Sequence, residues 1–239
     1  MRKLQKIKKK NVPLWAKRKC KKTHPFYKMN KKCISISFVG VLSQPINLPM
    51  LSNDFCQGLF GNPSETFNGL TPEGYVIALN NKPMPMIVFN PQKFIFKASS
   101  LEELAKYIAV IKEEFAKVQV FPIFGAYGIN YEYEWTELKE SAEAWMWKHF
   151  VGDNIKSSNN YHVCNSISLR VGINETERMN IKVDPRVGNR NGIFVSFNHH
   201  HEQQMQELPS KDVLIDIHAR SESYLKATII PEIIEKNRK

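Results

Sequence analysis

Residues 121–135 read FPIFGAYGINYEYEW, and from Tyr127 onward the stretch alternates. Tyr127, Ile129, Tyr131, Tyr133 and Trp135 fall on one side of an extended chain, and Gly128, Asn130, Glu132 and Glu134 on the other. A period of two over that length is the signature of a β-strand with one face in a core and one in water. A strand of this kind belongs to an antiparallel sheet, because a parallel strand is covered on both faces and reads as a continuous apolar run.

Working outward, the same pattern recurs. CISISFVGVL (33–42), YVIAL (75–79), MIVF (86–89) and FIFKA (94–98) are β-branched, aromatic runs separated by hairpin-length turns, with Asn90-Pro91-Gln92-Lys93 the clearest of them. Residues 43–73 carry prolines, glycines and asparagines and read as a long loop with one short helix near 51–59. Ser100-Leu101-Glu102-Glu103 is a capping box, and it opens a helix whose stripe is Leu101, Leu104, Ile108, Ile111 and Phe115. After the central strand, Thr136 is placed to cap a second helix, TELKESAEAWMWKHF, with Leu138, Ala142, Trp145 and His149 on one side. NSISLRVGI, RMNIKV and GIFVSFN are three further strands. In the first of these, Ile167, Leu169, Val171 and Ile173 take the buried face. VLIDIH (213–218) reads as a last strand, with a closing helix from about Ser221 that Pro231 interrupts or restarts.

The implied fold class is α+β: a largely antiparallel sheet of about seven to nine strands, backed by about three main helices. Each half of the body ends in a sheet segment plus a helix, as a diverged duplication would. Residues 33–239 are expected to form a single domain.

The net charge of +11 is unevenly placed. Residues 1–33 hold 14 Lys or Arg and no acid, which leaves 34 − 14 = 20 bases against 23 acids in the rest, or −3. Residues 1–32 are therefore expected to be a basic, disordered tail, with Met29 as an alternative start. Lys8, Lys9, Lys10, Lys17, Arg18, Lys19, Lys21 and Lys22 are its candidate nucleic-acid contacts, since clustered bases release counterions from phosphate without reading sequence.

The cysteines Cys20, Cys33, Cys56 and Cys164 form no CxxC pair, which suits a reducing cytosol. No apolar run reaches the roughly 20 residues of a membrane span. Neither GxxxxGK[ST], GxGxxG, GxSxG nor HExxH occurs, and no cofactor is implied.

Two constellations carry possible chemistry. The first is the face of the central strand, where Glu132 and Glu134 with Tyr131 and Tyr133 are candidate contacts for a protein partner. The second is FNHHHEQQ (197–204). If the preceding strand continues, His199 and His201 share the face of Ile193, Val195 and Phe197, while His200 points the other way. Two imidazoles at i and i+2 can share an ion, with His218 or Asp216 as a third ligand from an adjacent strand and Glu202 as general base. If the strand stops at Asn198, the histidines are only a polar connection. The balance favours a non-enzymatic cytosolic binding or accessory protein working through protein contacts, with its tail as a nucleic-acid tether. The alternative is a metal-dependent hydrolase or nuclease built on His199, His201 and Glu202.

Overall fold

A computed structural model describes residues 30–45, 66–80, 82–119, 121–151 and 164–224. The tail bases, the short helix at 51–59 and Pro231 lie outside these residues. The described strands form one nine-stranded antiparallel sheet. In chain order they are β1 (Asn30–Leu42), β2 (Thr66–Thr71), β3 (Gly74–Leu79), β4 (Met86–Asn90), β5 (Lys93–Ala98), β6 (Phe124–Thr136), β7 (Ile167–Gly172), β8 (Glu177–Pro185) and β9 (Ile193–His201). The helices are α1 (Leu101–Lys117), α2 (Ala142–Met146, continued by a π-helical turn over Trp147–Val151) and α3 (Lys211–Tyr224).

The strand order is β2-β3-β4-β5-β1-β6-β9-β8-β7. In each half a long strand is followed by a meander that returns to pair with it, and then by a helix. The two long strands, β1 and β6, meet at the centre of the sheet, paired from Asn30↔Thr136 to Leu42↔Phe124. The halves differ in detail, since four strands follow β1 while α2 and three strands follow β6, and both lie within one continuous sheet. Among the described residues no helix is long and apolar enough to cross a membrane.

The helices cover one face of the sheet. α1 starts where expected: Ser100 Oγ accepts from the Glu103 amide at 3.1 Å, and the Glu103 carboxylate reaches back to the Ser99 amide at 2.8 Å. Its stripe of Leu104, Ile108, Ile111 and Phe115 is buried against β1 and β5. On the same side β6 presents Ile129, Tyr131, Tyr133 and Trp135, and β9 presents Ile193, Val195 and Phe197. The alternation read in residues 127–135 is therefore the division between the core and the open face.

Five local expectations differ from the structure. Residues 30–32, assigned to the tail from their charge, are the first residues of β1, paired with Glu134–Thr136. The 213–218 run is not a strand but the first half of α3, whose buried positions are Leu214, Ile217 and Ser221, while Val213 and Ile215 are exposed. A six-residue apolar run fits either period. Ser210, whose hydroxyl faces the Val213 amide at 3.4 Å, is the start signal that decides for a helix.

The second helix begins at Ala142, capped by Ser141, and not at Thr136, which is still paired in β6. Glu137 has φ 70°, and the Leu138 amide and carbonyl are both held by Asn191 at 2.9 and 2.8 Å, so the chain there is committed to a loop. β2 falls in what reads as loop. It is an edge strand with Phe67 and Leu70 exposed, and its Asn and Gly leave no apolar period to detect. β7 is the opposite edge, and Leu169 and Ile173 are exposed there instead of buried.

Replacing Ile108 by Ala leaves a void between α1 and the sheet and should cost about 2–5 kcal/mol. A shift of the urea midpoint at unchanged slope measures it. An unmoved midpoint would mean that α1 does not hold the core.

Candidate functional site

The uncovered face of the sheet is built from the alternate residues of the same strands. One row runs across five of them in register: Ser37 (β1), Asn130 (β6), Asn198 (β9), Asn180 (β8) and Arg170 (β7). Their side chains are linked in one direction. Arg170 Nε donates to Asn180 Oδ1 at 3.1 Å, and Asn180 Nδ2 to Asn198 Oδ1 at 3.1 Å. Asn198 Nδ2 donates to Asn130 Oδ1, and Asn130 Nδ2 to Ser37 Oγ at 3.3 Å. Each amide in the row uses one N–H and one acceptor site sideways and keeps the others for whatever lies above it. A shallow open pocket of about 230 Å³ sits over the row. Gly128 borders it: a Cβ there would stand 2.9 Å from Asn198 Nδ2, so only glycine leaves the ladder its place.

Four acids of this face are each paired with a base. Glu132 meets Lys97 at 2.8 Å, Glu134 meets Arg186 at 2.7 Å, Asp184 meets Lys182 at 2.9 Å, and Glu202 is paired with Arg178. Burial alone would raise the Glu132 carboxyl, but the hydrogen bonds from Lys97 and Ser35 outweigh it and hold its pKa below the usual carboxylate range. Of the candidate partner contacts, Glu132 and Glu134 lie on this face. Tyr131 and Tyr133 are 1% and 3% exposed and belong to the core instead of the open face. The Tyr133 hydroxyl donates instead to Glu222 of α3. Lys31 Nζ bridges the same pair, 3.3 Å from Glu222 and 3.9 Å above the Tyr133 ring.

The histidine run behaves as a continuing strand. β9 extends to His201 because it is paired on both sides there, with Tyr127 and with Glu177. His199 and His201 point to the helix side and are each 1% exposed, while His200 points to the open face. The two buried rings lie 4.2 Å apart, and His201 stacks on Tyr127 at 4.7 Å and 9°. Burial, with His201 beside it, pushes the His199 pKa down to about 4.

The third member of the cluster is Glu177 of β8. Its carboxylate stands 3.8 Å from His199 Nε2 and 3.4 Å from His201 Nδ1, and Arg220 of α3 holds Oε1 at 3.1 Å. Three residues expected at this position are elsewhere. His218 is on α3, with its ring 5.4 Å from that of Tyr131, because residues 213–218 are helical. Glu202 is fully exposed and pairs with Arg178 and His200 on the open face, so it is no base for the buried pair. Asp216, the other candidate ligand, faces solvent and pairs with Arg220. Glu177 carries no local sequence signal. It is 22 and 24 residues before the histidines and is brought to them only by the β8–β9 register.

Because the Glu132 pKa is lowered in the fold, the unfolded chain binds the extra proton first as pH falls. The stability this group supplies is complete above the ordinary carboxylate range and is lost as pH drops through the folded value. Glu132→Gln should therefore flatten the acid limb of the stability–pH curve, measured by denaturant titration. A limb of unchanged steepness would mean the Lys97–Glu132 contact is too solvated to matter.

No protein-family model matches this chain, and no curated protein sequence matches it.

Proposed function

We propose that this chain is a non-enzymatic binding protein whose open sheet face takes an extended segment of a partner protein. The observation that carries the reading is the amide ladder of Asn130, Asn198 and Asn180 beneath the pocket. Its remaining donors and acceptors match the paired N–H and C=O groups of a peptide backbone. The occupant is read as polypeptide and not nucleic acid, because the ladder offers neutral amide groups and the residues after 33 carry a charge of −3, which does not attract phosphate. Phosphate contact belongs to the residues before β1, which hold 14 − 2 = 12 bases and no acid. The protein thereby joins a partner to nucleic acid through two separate parts of its chain.

Extended peptides selected from a random display library against the full chain supply the probe. Titration of a selected peptide should shift the side-chain amide resonances of Asn130, Asn180 and Asn198. The double variant Asn130→Ala/Asn198→Ala, which leaves the core untouched, should bind it at least about tenfold more weakly, as the loss of two hydrogen bonds of about 1 kcal/mol each implies. Peptides that map to the helix side, or that bind the double variant equally well, would sink the reading.

The tail is tested separately. Replacing its eight candidate bases by Gln should abolish sequence-independent DNA binding, whose log–log salt slope is roughly 0.7–0.9 per phosphate, without changing peptide affinity. DNA binding that survives the replacement would place the phosphate site elsewhere.

A further inference from the structure

The Glu177–His199–His201 cluster lies on the helix side of the sheet, away from the proposed peptide face, and its chemistry is different. Ser221 on α3 fixes the first ring. Its hydroxyl donates to the Ile217 carbonyl at 2.7 Å, so the 2.7 Å contact with His199 Nδ1 is made by a proton on the ring. His199 is thereby the Nδ1–H tautomer, and its Nε2 carries a lone pair. That lone pair faces a Glu177 carboxylate oxygen 3.8 Å away, too far for a hydrogen bond and with no proton between them. Two acceptors aimed at one another in a buried position are unfavourable unless a cation joins them.

The second ring faces the carboxylate with its other nitrogen: His201 Nδ1 stands 3.4 Å from Glu177 Oε1. Among the described residues the Nε2 atoms of His199 and His201 are both buried without a hydrogen-bond partner. The donor atoms of Glu177, His199 and His201 all lie within 4.8 Å of one another. Ligands bound at about 2.0–2.1 Å around a tetrahedral ion stand roughly 3.3–3.5 Å apart. His201 Nδ1 is 3.4 Å from Glu177 Oε1 and His199 Nε2 is 3.8 Å from Oε2, so the carboxylate turns one oxygen to each ring, and an inward movement of the three side chains closes the set on one ion.

Two imidazoles and one carboxylate form a donor set for zinc or its transition-metal neighbours. Calcium and magnesium want oxygen ligands throughout. An outer shell is also present: Ser221 orients His199, Arg220 holds Glu177 Oε1, the oxygen that also faces His201 Nδ1, and Tyr127 stacks on His201.

We propose that Glu177, His199 and His201 bind one divalent transition-metal ion of the zinc class, and that this ion fastens β8 and β9 under α3. The role is structural. Glu202, the candidate general base, is on the opposite face with Arg178. The cluster itself is enclosed apart from the Glu177 edge, where the side chain is 18% exposed.

The full chain, stripped of metal, is titrated with zinc against a chromogenic chelator and then with cobalt. One equivalent of zinc should bind at micromolar affinity or tighter and raise the melting temperature, since an ion that binds only the folded chain stabilises it. Cobalt should give the visible bands of a four-coordinate ion. Glu177→Gln and His199→Gln should lose the equivalent, and Ser221→Ala should weaken it about 10–100-fold. His200→Gln and Glu202→Gln, on the open face, should bind as the parent does.

Glu177 is partly exposed and glutamine keeps its shape, so E177Q provides a variant that folds even where a histidine replacement does not. The proposal is overturned if the parent protein takes up no zinc in this range. It is equally overturned if E177Q or H199Q binds zinc as the parent does, which would assign the ion to other groups such as the cysteines. Peptide affinity should not change in these variants, so either proposal can fail alone.

Discussion

β1 and β6 pair along almost their whole length, thirteen residues each, and every other contact is arranged on that pair. Each strand is the first of its half and the one to which its own meander returns, β5 on β1 and β9 on β6. An antiparallel pair in fixed register fixes the facing of all its neighbours, because a slip of one residue would turn every side chain over. On one side this aligns Phe38, Ile129 and Tyr131 for the helices to cover. On the other it aligns Ser37 with Asn130, the first step of the amide ladder.

The two faces solve the problem of polar groups in opposite ways. On the open face, charges are satisfied in pairs and amides in a chain, and water or a partner can complete what is left. On the helix side polar groups are few, and most are spent on fastening α3. The Tyr133 hydroxyl and Lys31 hold Glu222, and His199 holds Ser221. α3 is only moderately apolar, with Leu214, Ile217 and Ser221 as its buried residues, so these polar contacts account for much of its docking. Glu177, on an inner strand next to the edge, completes that fastening from the sheet side. It is also the one acid drawn toward the buried histidines.

Much of the architecture was legible in order and period. The α+β class, the antiparallel sheet, α1 with its capping box, and the division of β6 into a core face and an open face all follow from patterns that repeat over many residues. The misreadings fall where pattern is short or burial slight. The 213–218 run is too short to separate period two from period 3.6. β2 and β7 lie at the edges, where Phe67, Leu70 and Leu169 remain in solvent, and their sequences record little burial.

The site divides along the same line. Strand alternation, a local property of the backbone, puts His199 and His201 on one face and His200 on the other if the strand runs past Asn198, and the pairing with Tyr127 and Glu177 shows that it does. Alternation in the sequence alone determined that Glu132 and Glu134 stand opposite Tyr131 and Tyr133. Only the tertiary structure decided which residues meet them. Glu177, and not His218 or Glu202, faces the histidines, because register between β8 and β9 sets partners across a turn whose residues carry no mark of it. The ladder from Arg170 to Ser37 likewise joins five strands scattered over the chain from position 37 to position 198. Pairing between strands is an energy shared by two segments, and neither segment by itself specifies it.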